Sequence, residues 1–137
     1  MTLRVCVAGA TGWAGSELAR SIAKTPDLEH VAAIARKGAG RILGDVLGEP
    51  RLTARVHASA AEALREPCDV FVEYTKPDVA RSNIVCALER GAHVVVGTSG
   101  LTDDDYAQIE AAARKETRGA VACGNFALTG VLVQKFF

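Results

Sequence analysis

The sequence predicts an α/β fold of the Rossmann type, a mainly parallel, doubly wound sheet of six or seven strands in a single domain. Short apolar runs alternate along the chain with segments whose apolar residues recur at helical spacing. Polar or glycine-rich turns follow several of these runs. The chain has 137 residues, of which 49% are hydrophobic and only 5% aromatic, and this length and composition are typical of one α/β domain.

The first strand, the turn after it and the start of the first helix occupy residues 3–18. Leu3, Val5 and Val7 form an apolar run, an amphipathic helix follows at Leu18 and Ile22, and the turn between them contains glycines at three-residue intervals: Gly9, Gly12 and Gly15. Such glycines allow a tight turn, close approach of the backbone to a pyrophosphate and close packing of helix on strand. The segment therefore predicts a dinucleotide site, the alternative being a glycine turn that binds no nucleotide.

The second strand is predicted at residues 30–35, and Arg36 and Lys37 follow it. At this place in a dinucleotide fold, a carboxylate would bond the ribose 2′-hydroxyl of NAD, whereas an arginine accommodates the 2′-phosphate of NADP. Two cations and no carboxylate favour NADPH, with NADH left open as a second cofactor. A basic pair in a solvated loop is the alternative interpretation.

The middle of the chain predicts loop, then strand and helix again. Residues 38–59 are dotted with glycines and predict mostly loop, with a short strand near residues 53–57. Ser59 has the form of a helix cap, and the short helix it opens should end before Pro67. A strand at residues 69–74 leads to a helix that starts near Pro77 and closes at Gly91.

From residue 93 onward the sequence predicts a strand at residues 93–96, a polar glycine turn, and a helix capped by Thr102 and three aspartates. A strand at residues 120–123 and a turn through Asn125 and Phe126 follow. We expect a dinucleotide-binding domain over residues 1–127. Residues 128–137 have apolar residues at helical spacing and should begin a connecting helix to a substrate and oligomerisation domain that this chain lacks.

Composition limits the partners. Basic and acidic residues balance at 16 each, which gives no support for nucleic acid or an anionic membrane as a partner. The four cysteines are scattered without metal-ligand spacing, so no metal site and a reduced, cytoplasmic protein are expected. The three histidines, His30, His57 and His93, are expected to pack or lie at the surface.

Four segments together resemble the N-terminal domain of the dihydrodipicolinate reductase family. They read V-A-G-A-T-G-W-A-G at residues 7–15, D-V-F-V-E-Y-T-K-P-D at 69–78, V-V-V-G-T-S-G-L at 94–101 and A-C-G-N-F-A-L-T-G-V at 122–131, in the order and spacing of the family. The resemblance covers nearly the whole chain. It implies an oxidoreductase of lysine and diaminopimelate biosynthesis that transfers hydride from NADPH to 4-hydroxy-tetrahydrodipicolinate, with this chain as its cofactor-binding domain.

The resemblance also implies roles for single positions. The pyrophosphate loop would comprise Gly9, Thr11, Gly12, Trp13, Ala14 and Gly15. Arg36 would meet the 2′-phosphate, beside Lys37, and Ser99 would meet a substrate carboxylate. The cofactor would be lined towards its nicotinamide by Tyr74, Thr75, Gly97, Thr98, Asn125 and Phe126. No catalytic residue is expected within the chain, which alone should be inactive and should form homo-oligomers only through the missing domain.

Two alternatives belong to other classes. The opening G-A-T-G-W-A-G-S-E-L also resembles semialdehyde dehydrogenases and acyl-phosphate reductases, whose nucleophile is a cysteine after a late strand, and Cys123 lies at about that distance. The other alternative is an NADP-binding module that senses or regulates without turnover.

Overall fold

The computed structural model describes residues 1–122, which form one six-stranded parallel sheet with helices between the strands. The elements are β1 (Leu3–Ala8), α1 (Trp13–Ala23), β2 (Leu28–Ile34), α2 (Leu43–Leu47), β3 (Arg55–His57), α3 (Ala60–Ala63), β4 (Val70–Glu73), α4 (Pro77–Glu89), β5 (His93–Val96), α5 (Asp103–Glu116) and β6 (Ala120–Ala122). The strand order is β3-β2-β1-β4-β5-β6. This is the order of a doubly wound dinucleotide fold, which confirms the predicted fold class.

Hydrophobic cores lie on both faces of the sheet, as a doubly wound architecture requires. On one face α1 and the α2 region cover β1 and β2, with Val7, Ile22 and Leu43 in the core. On the other face α3, α4 and α5 pack over the sheet around Phe71 and Ile84. Because helices cover both faces, the central strands β1 and β4 read as nearly continuous apolar runs.

The segment between β2 and β3 contains a helical turn, α2, where the sequence predicted mostly loop. Two backbone bonds to the following segment hold it, from Leu43 N–H to the Ala54 carbonyl and from Gly44 N–H to the Leu52 carbonyl, each at 2.8 Å. Gly48 ends the helix in the left-handed conformation, with φ of +72°. The loop prediction holds for most of residues 38–59, and the short strand is present as β3, but α2 was missed because five residues are too few to show helical periodicity.

The predicted helix starts are confirmed in their main features. Thr102 and Asp105 form a capping box, in which the Thr102 side chain accepts from Asp105 N–H at 3.1 Å and the Asp105 carboxylate accepts from Thr102 N–H at 2.9 Å. The Ser59 hydroxyl accepts from Glu62 N–H at 3.3 Å and caps α3. Pro77 is the first residue of α4.

The described residues bear on the predictions about membrane helices, metal ligands and cysteines. Within residues 1–122, none of the helices has the length and apolar character needed to cross a membrane, and no three His, Cys, Asp or Glu side chains are grouped as a metal would require. Cys6 and Cys68 are buried thiols. Cys123, the turn with Asn125 and Phe126, and the connecting helix predicted over residues 128–137 lie outside the described residues.

Candidate functional site

A cleft of about 490 Å³ opens at the carboxyl ends of the strands, where the strand order reverses between β1 and β4. Its lining comes from the segments that follow β1, β2, β3 and β4, together with one face of α4: Gly9, Thr11, Gly12, Ile34, Ala35, Arg36, Lys37, Ala58, Ser59, Tyr74, Thr75, Lys76, Val79, Ser82 and Asn83. Ligands of open parallel sheets bind at such a switch point. The cleft is therefore the candidate site.

The three glycines after β1 have different surroundings. Gly9 has φ of +82°, and a β-carbon there would overlap the Tyr74 backbone. A β-carbon on Gly15 would overlap the carbonyl of Gly9, so this glycine allows α1 to pack closely on the turn. A β-carbon on Gly12 would come no closer than 3.3 Å, to the Gly9 oxygen, and Gly12 lines the cleft. Gly12 is thus the position at which a missing side chain leaves room for a ligand.

The glycine turn is fixed to β2 and leads into the start of α1. Gly9 N–H donates to the Ile34 carbonyl at 2.8 Å, and Ala10 N–H donates to the same oxygen at 3.2 Å. Gly12 is the N-cap of α1 and has no side chain to satisfy the first N–H groups of the helix. A helix start of this kind favours an anion through its free donors and its dipole. The turn can therefore hold a phosphate with backbone groups alone.

Three cations and no carboxylate lie among the described residues that line the cleft. Arg36 and Lys37 follow β2, and Lys76 precedes α4 on the opposite side of the cleft. Arg36 also faces Asp78 of α4, with its Nη2 3.9 Å from the Asp78 Oδ2 and with both side chains mostly exposed. The mouth of the cleft is therefore positively charged, with one carboxylate adjacent to it.

A buried carboxylate supports the floor of the site. Glu73, the last residue of β4, is fully buried, and its Oε1 accepts hydrogen bonds from the Thr75 N–H at 2.7 Å and from the Thr75 hydroxyl. Its Oε2 is buried and makes no hydrogen bond among residues 1–122. Burial raises the pKa of this carboxyl, and the Thr75 bonds and the nearby Asn83 side chain oppose the rise in part. Glu73 thus fixes the turn that presents Thr75 to the cleft.

The turn after β5 joins this floor from the other side. Gly97 N–H and Thr98 N–H donate to the Glu73 carbonyl at 2.8 Å and 3.2 Å, and the Thr98 hydroxyl donates to the Thr75 carbonyl at 3.0 Å. The Tyr74 ring lies directly against Gly97, so that a β-carbon at Gly97 would overlap the ring. The segments after β4 and β5 therefore form one connected edge beside the cleft.

The structure brings some of the predicted site residues together and separates others from them. Seven of the predicted cofactor-binding residues line the cleft: Gly9, Thr11, Gly12, Arg36, Lys37, Tyr74 and Thr75. Other predicted residues do not line this cleft: Trp13, Ala14, Gly15, Gly97, Thr98 and Ser99. Trp13 is 89% exposed at the start of α1, and Thr98 is buried behind Thr75. Asn125 and Phe126 lie outside the described residues.

Sequence reasoning missed several lining residues, among them Lys76, Ser59 and Asn83. Lys76 could have been found, since it directly follows a predicted strand at its carboxyl end, where ligands bind. The local sequence marks Ser59 only as a helix cap. Asn83 lies in the second turn of α4 and carries no local signal.

Comparison with known proteins gives a family and a set of relatives. The family model described as "Dihydrodipicolinate reductase, N-terminus" matches residues 3–126. The chain is 33% identical over 135 residues to a 4-hydroxy-tetrahydrodipicolinate reductase of Bacillus anthracis (strain CDC 684 / NRRL 3495). The aligned region covers 98% of this chain and 51% of that protein. The chain thus spans about half the length of the curated relatives that it matches.

Solved structures give the same picture. A dipicolinate-bound dihydrodipicolinate reductase from Paenisporosarcina sp. TG-14 superimposes with a TM-score of 0.81 at 27% identity, over 99% of this chain and 52% of that one. Biliverdin reductase from Synechocystis sp. PCC 6803, solved with biliverdin and NADP⁺, shares the fold with a TM-score of 0.72 at 20% identity, over 88% of this chain and 37% of that one. The second likeness shows the fold alone.

Proposed function

Since the chain belongs to the dihydrodipicolinate reductase family, we propose that it is the dinucleotide-binding part of an NADPH-dependent reductase of 4-hydroxy-tetrahydrodipicolinate. The relatives of that name are oxidoreductases, which supports a nicotinamide cofactor and a place in lysine and diaminopimelate biosynthesis. We propose NADPH over NADH, and a small-molecule substrate, on the chemistry of the cleft.

The observation that carries the proposal is the meeting of the glycine turn and the cations in one cleft. Backbone donors around Gly12 suit a pyrophosphate, and the apolar residues Ile34 and Val79 beside Arg36 suit an adenosine with a charged substituent. No carboxylate among the described lining residues is available for a bare ribose diol. The cleft therefore matches a 2′-phosphorylated dinucleotide better than an unphosphorylated one.

The chemistry of hydride transfer belongs to a bound nicotinamide, and the residues of this chain would bind and orient it. Tyr74, Thr75 and Thr98 form the connected edge described above. This edge lies beside the cleft at β4 and β5, on the side away from β2, which Arg36 follows. We propose that this edge supports the nicotinamide half, with Ser99 near the substrate. Glu73 holds Thr75 in this edge through two hydrogen bonds.

The cofactor preference can be tested by Arg36→Ala. The loss should cost about 1.5–3 kcal/mol of NADPH binding, the range for a hydrogen bond to a charged group, and little of NADH binding. Titration calorimetry with both nucleotides measures the two losses. Arg41→Ala is a matched control, because Arg41 is an exposed arginine of the same segment that bonds the Asp45 carbonyl and does not line the cleft. Equal losses for both nucleotides would contradict the 2′-phosphate assignment.

The family match favours the reductase over the dehydrogenase alternative. The candidate nucleophile of that alternative, Cys123, lies outside the described residues. A non-catalytic module would show the same binding without turnover, so NADPH oxidation by the complete product of the gene, in the presence of freshly generated substrate, distinguishes the reductase from it.

A further inference from the structure

Asp78 is the acidic residue that pairs with Arg36, the proposed 2′-phosphate partner, among the described residues. It lies in the first turn of α4, across the cleft mouth from the end of β2, and its Oδ2 is 3.9 Å from the Arg36 Nη2. Arg36 is 76% exposed and Asp78 68% exposed, so the pair lies in contact with solvent at the cleft mouth. The contact thus joins the two sides of the cleft through a pair of exposed, opposite charges.

A 2′-phosphate that binds Arg36 must share this arginine with Asp78 or displace it. A phosphate oxygen in hydrogen-bond contact with Arg36 would lie within a few ångströms of the Asp78 carboxylate, and the two anions would repel each other. A bare ribose diol carries no charge and meets no such competition. A carboxylate in this position would therefore oppose NADPH and hardly affect NADH.

We propose that Asp78 is a specificity-determining residue: it pairs with Arg36 across the cleft mouth and lowers the preference of the site for the 2′-phosphorylated dinucleotide. The inference rests on the proposed function, since it requires a dinucleotide in this cleft with its adenosine ribose at Arg36. It adds that the preference is a balance between one cation and one anion on opposite sides of the cleft.

Asp104 offers a matched control. It is the second residue of α5, as Asp78 is the second residue of α4, and its Oδ2 also lies 3.9 Å from an arginine, Arg81. It is similarly exposed, at 77%, and it does not line the cleft. Asp104→Asn therefore removes the same unit charge from the same helix position as Asp78→Asn, without touching the site, and it also weakens one exposed hydrogen bond from Gln108.

The experiment measures dissociation constants of NADPH and NADH for the complete gene product and its variants by fluorescence titration at low ionic strength. Asp78→Asn should strengthen NADPH binding by about three- to tenfold and change NADH binding by less than about twofold. Asp104→Asn should change the ratio of the two constants by less than about twofold. Raising the salt concentration should reduce the effect of Asp78→Asn, because both charges are exposed.

The pairing itself is tested by combining Asp78→Asn with Arg36→Ala. If Asp78 acts through Arg36, the increase in NADPH affinity caused by Asp78→Asn should be smaller in the Arg36→Ala background and close to the small change given by Asp104→Asn. An unchanged ratio of NADPH to NADH binding in Asp78→Asn, or an equal change in Asp104→Asn, would overturn the inference. Failure of the unaltered protein to bind either nucleotide would instead refute the proposed function, so the two failures are distinguishable.

Discussion

At the scale of single residues, the three glycines after β1 serve different purposes. Gly9 and Gly15 are required by the fold, because a β-carbon at either would overlap backbone atoms. Gly12 has more space around it, with its nearest neighbour at 3.3 Å from an added β-carbon, and it faces the cleft. Ligand binding and folding should therefore respond to different glycines.

Gly12→Val should abolish dinucleotide binding while the domain stays folded. The added methyl groups would stand where the backbone approaches the pyrophosphate, whereas the fold needs to give by only a few tenths of an ångström. Calorimetry with NADPH and circular dichroism test the two parts. Gly15→Val is the contrasting variant and should lose the folded state itself. Unchanged affinity in Gly12→Val, with an unaltered spectrum, would mean that Gly12 serves only the turn.

His30 is a half-buried base within β2, and its ring nitrogens are themselves buried and make no hydrogen bond among residues 1–122. Burial lowers its pKa from 6.5 to about 4, with partial opposition from the Ala32 backbone. The unfolded chain therefore binds a proton below about pH 6.5 that the folded protein does not bind until about pH 4. The packing role expected for this histidine is consistent with its burial.

The stability of the protein should accordingly decrease as the pH falls from 6.5 towards 4. His30 alone accounts for about 1.4 kcal/mol per pH unit in this window, or about 3 kcal/mol in total, and contributes its full share above pH 6.5. Urea unfolding at several pH values measures the slope. His30→Leu should flatten it, and His57→Gln, a change on neighbouring β3, serves as the control. An identical slope in His30→Leu would contradict the assignment.

At the scale of secondary structure elements, α5 begins with a complete capping box and ends at a residue with a strained backbone conformation. The capping box of Thr102 and Asp105 satisfies two backbone donors at its start. At its end Thr117 adopts φ of +54°, the left-handed region that a β-branched residue rarely enters. The two ends should therefore respond in opposite directions to substitution.

Thr117→Gly should stabilise the protein by about 0.5–1 kcal/mol, because glycine removes the left-handed penalty and loses part of the gain to its greater freedom when unfolded. Thr102→Ala should destabilise it by about 1 kcal/mol, since it removes the acceptor for Asp105 N–H. Urea unfolding measures both. Thr102→Ser keeps the acceptor and should stay near the unaltered value. A Thr117→Gly variant that is less stable would show that the threonine side chain outweighs its strain.

At the scale of the whole molecule, the sheet order places the site. The reversal of strand order between β1 and β4 opens a crevice, and the turns after four strands meet around it. The binding groups thus come from segments that are far apart in sequence. The chain also spans only about half the length of the curated relatives that it matches.

We predict that the 137-residue chain binds NADPH but does not turn over 4-hydroxy-tetrahydrodipicolinate. Reduction needs a proton donor near the reacting atom, whose loss costs about 10²–10⁴ in rate, and a part of the protein that orients the substrate. We expect both in the other half of the relatives' length. NADPH oxidation by this chain beside the complete gene product is the test. Substantial turnover by the 137-residue chain would contradict this division of roles.

The sequence by itself determined the features that depend on near neighbours. Local physical causes account for four of these features, and each is present in the structure. They are the glycine turn between β1 and α1, the cap at Ser59, the cap at Thr102 and the proline start of α4. From these and the alternation of elements the fold class followed. The position of the cations Arg36 and Lys37 at the carboxyl edge of the sheet could also be predicted, because a residue that directly follows a parallel strand lies at that edge.

Only the tertiary structure decided what depends on residues distant in sequence. It showed that α2 is held by backbone bonds to residues 52 and 54, that Glu73 is buried under the Thr75 turn, and that Arg36 meets Asp78 across the cleft. It also separated Gly12 from the other two glycines. The reason is physical: burial, steric overlap and the pairing of charges arise from contacts between segments, and no local pattern of residues records which segments will face each other.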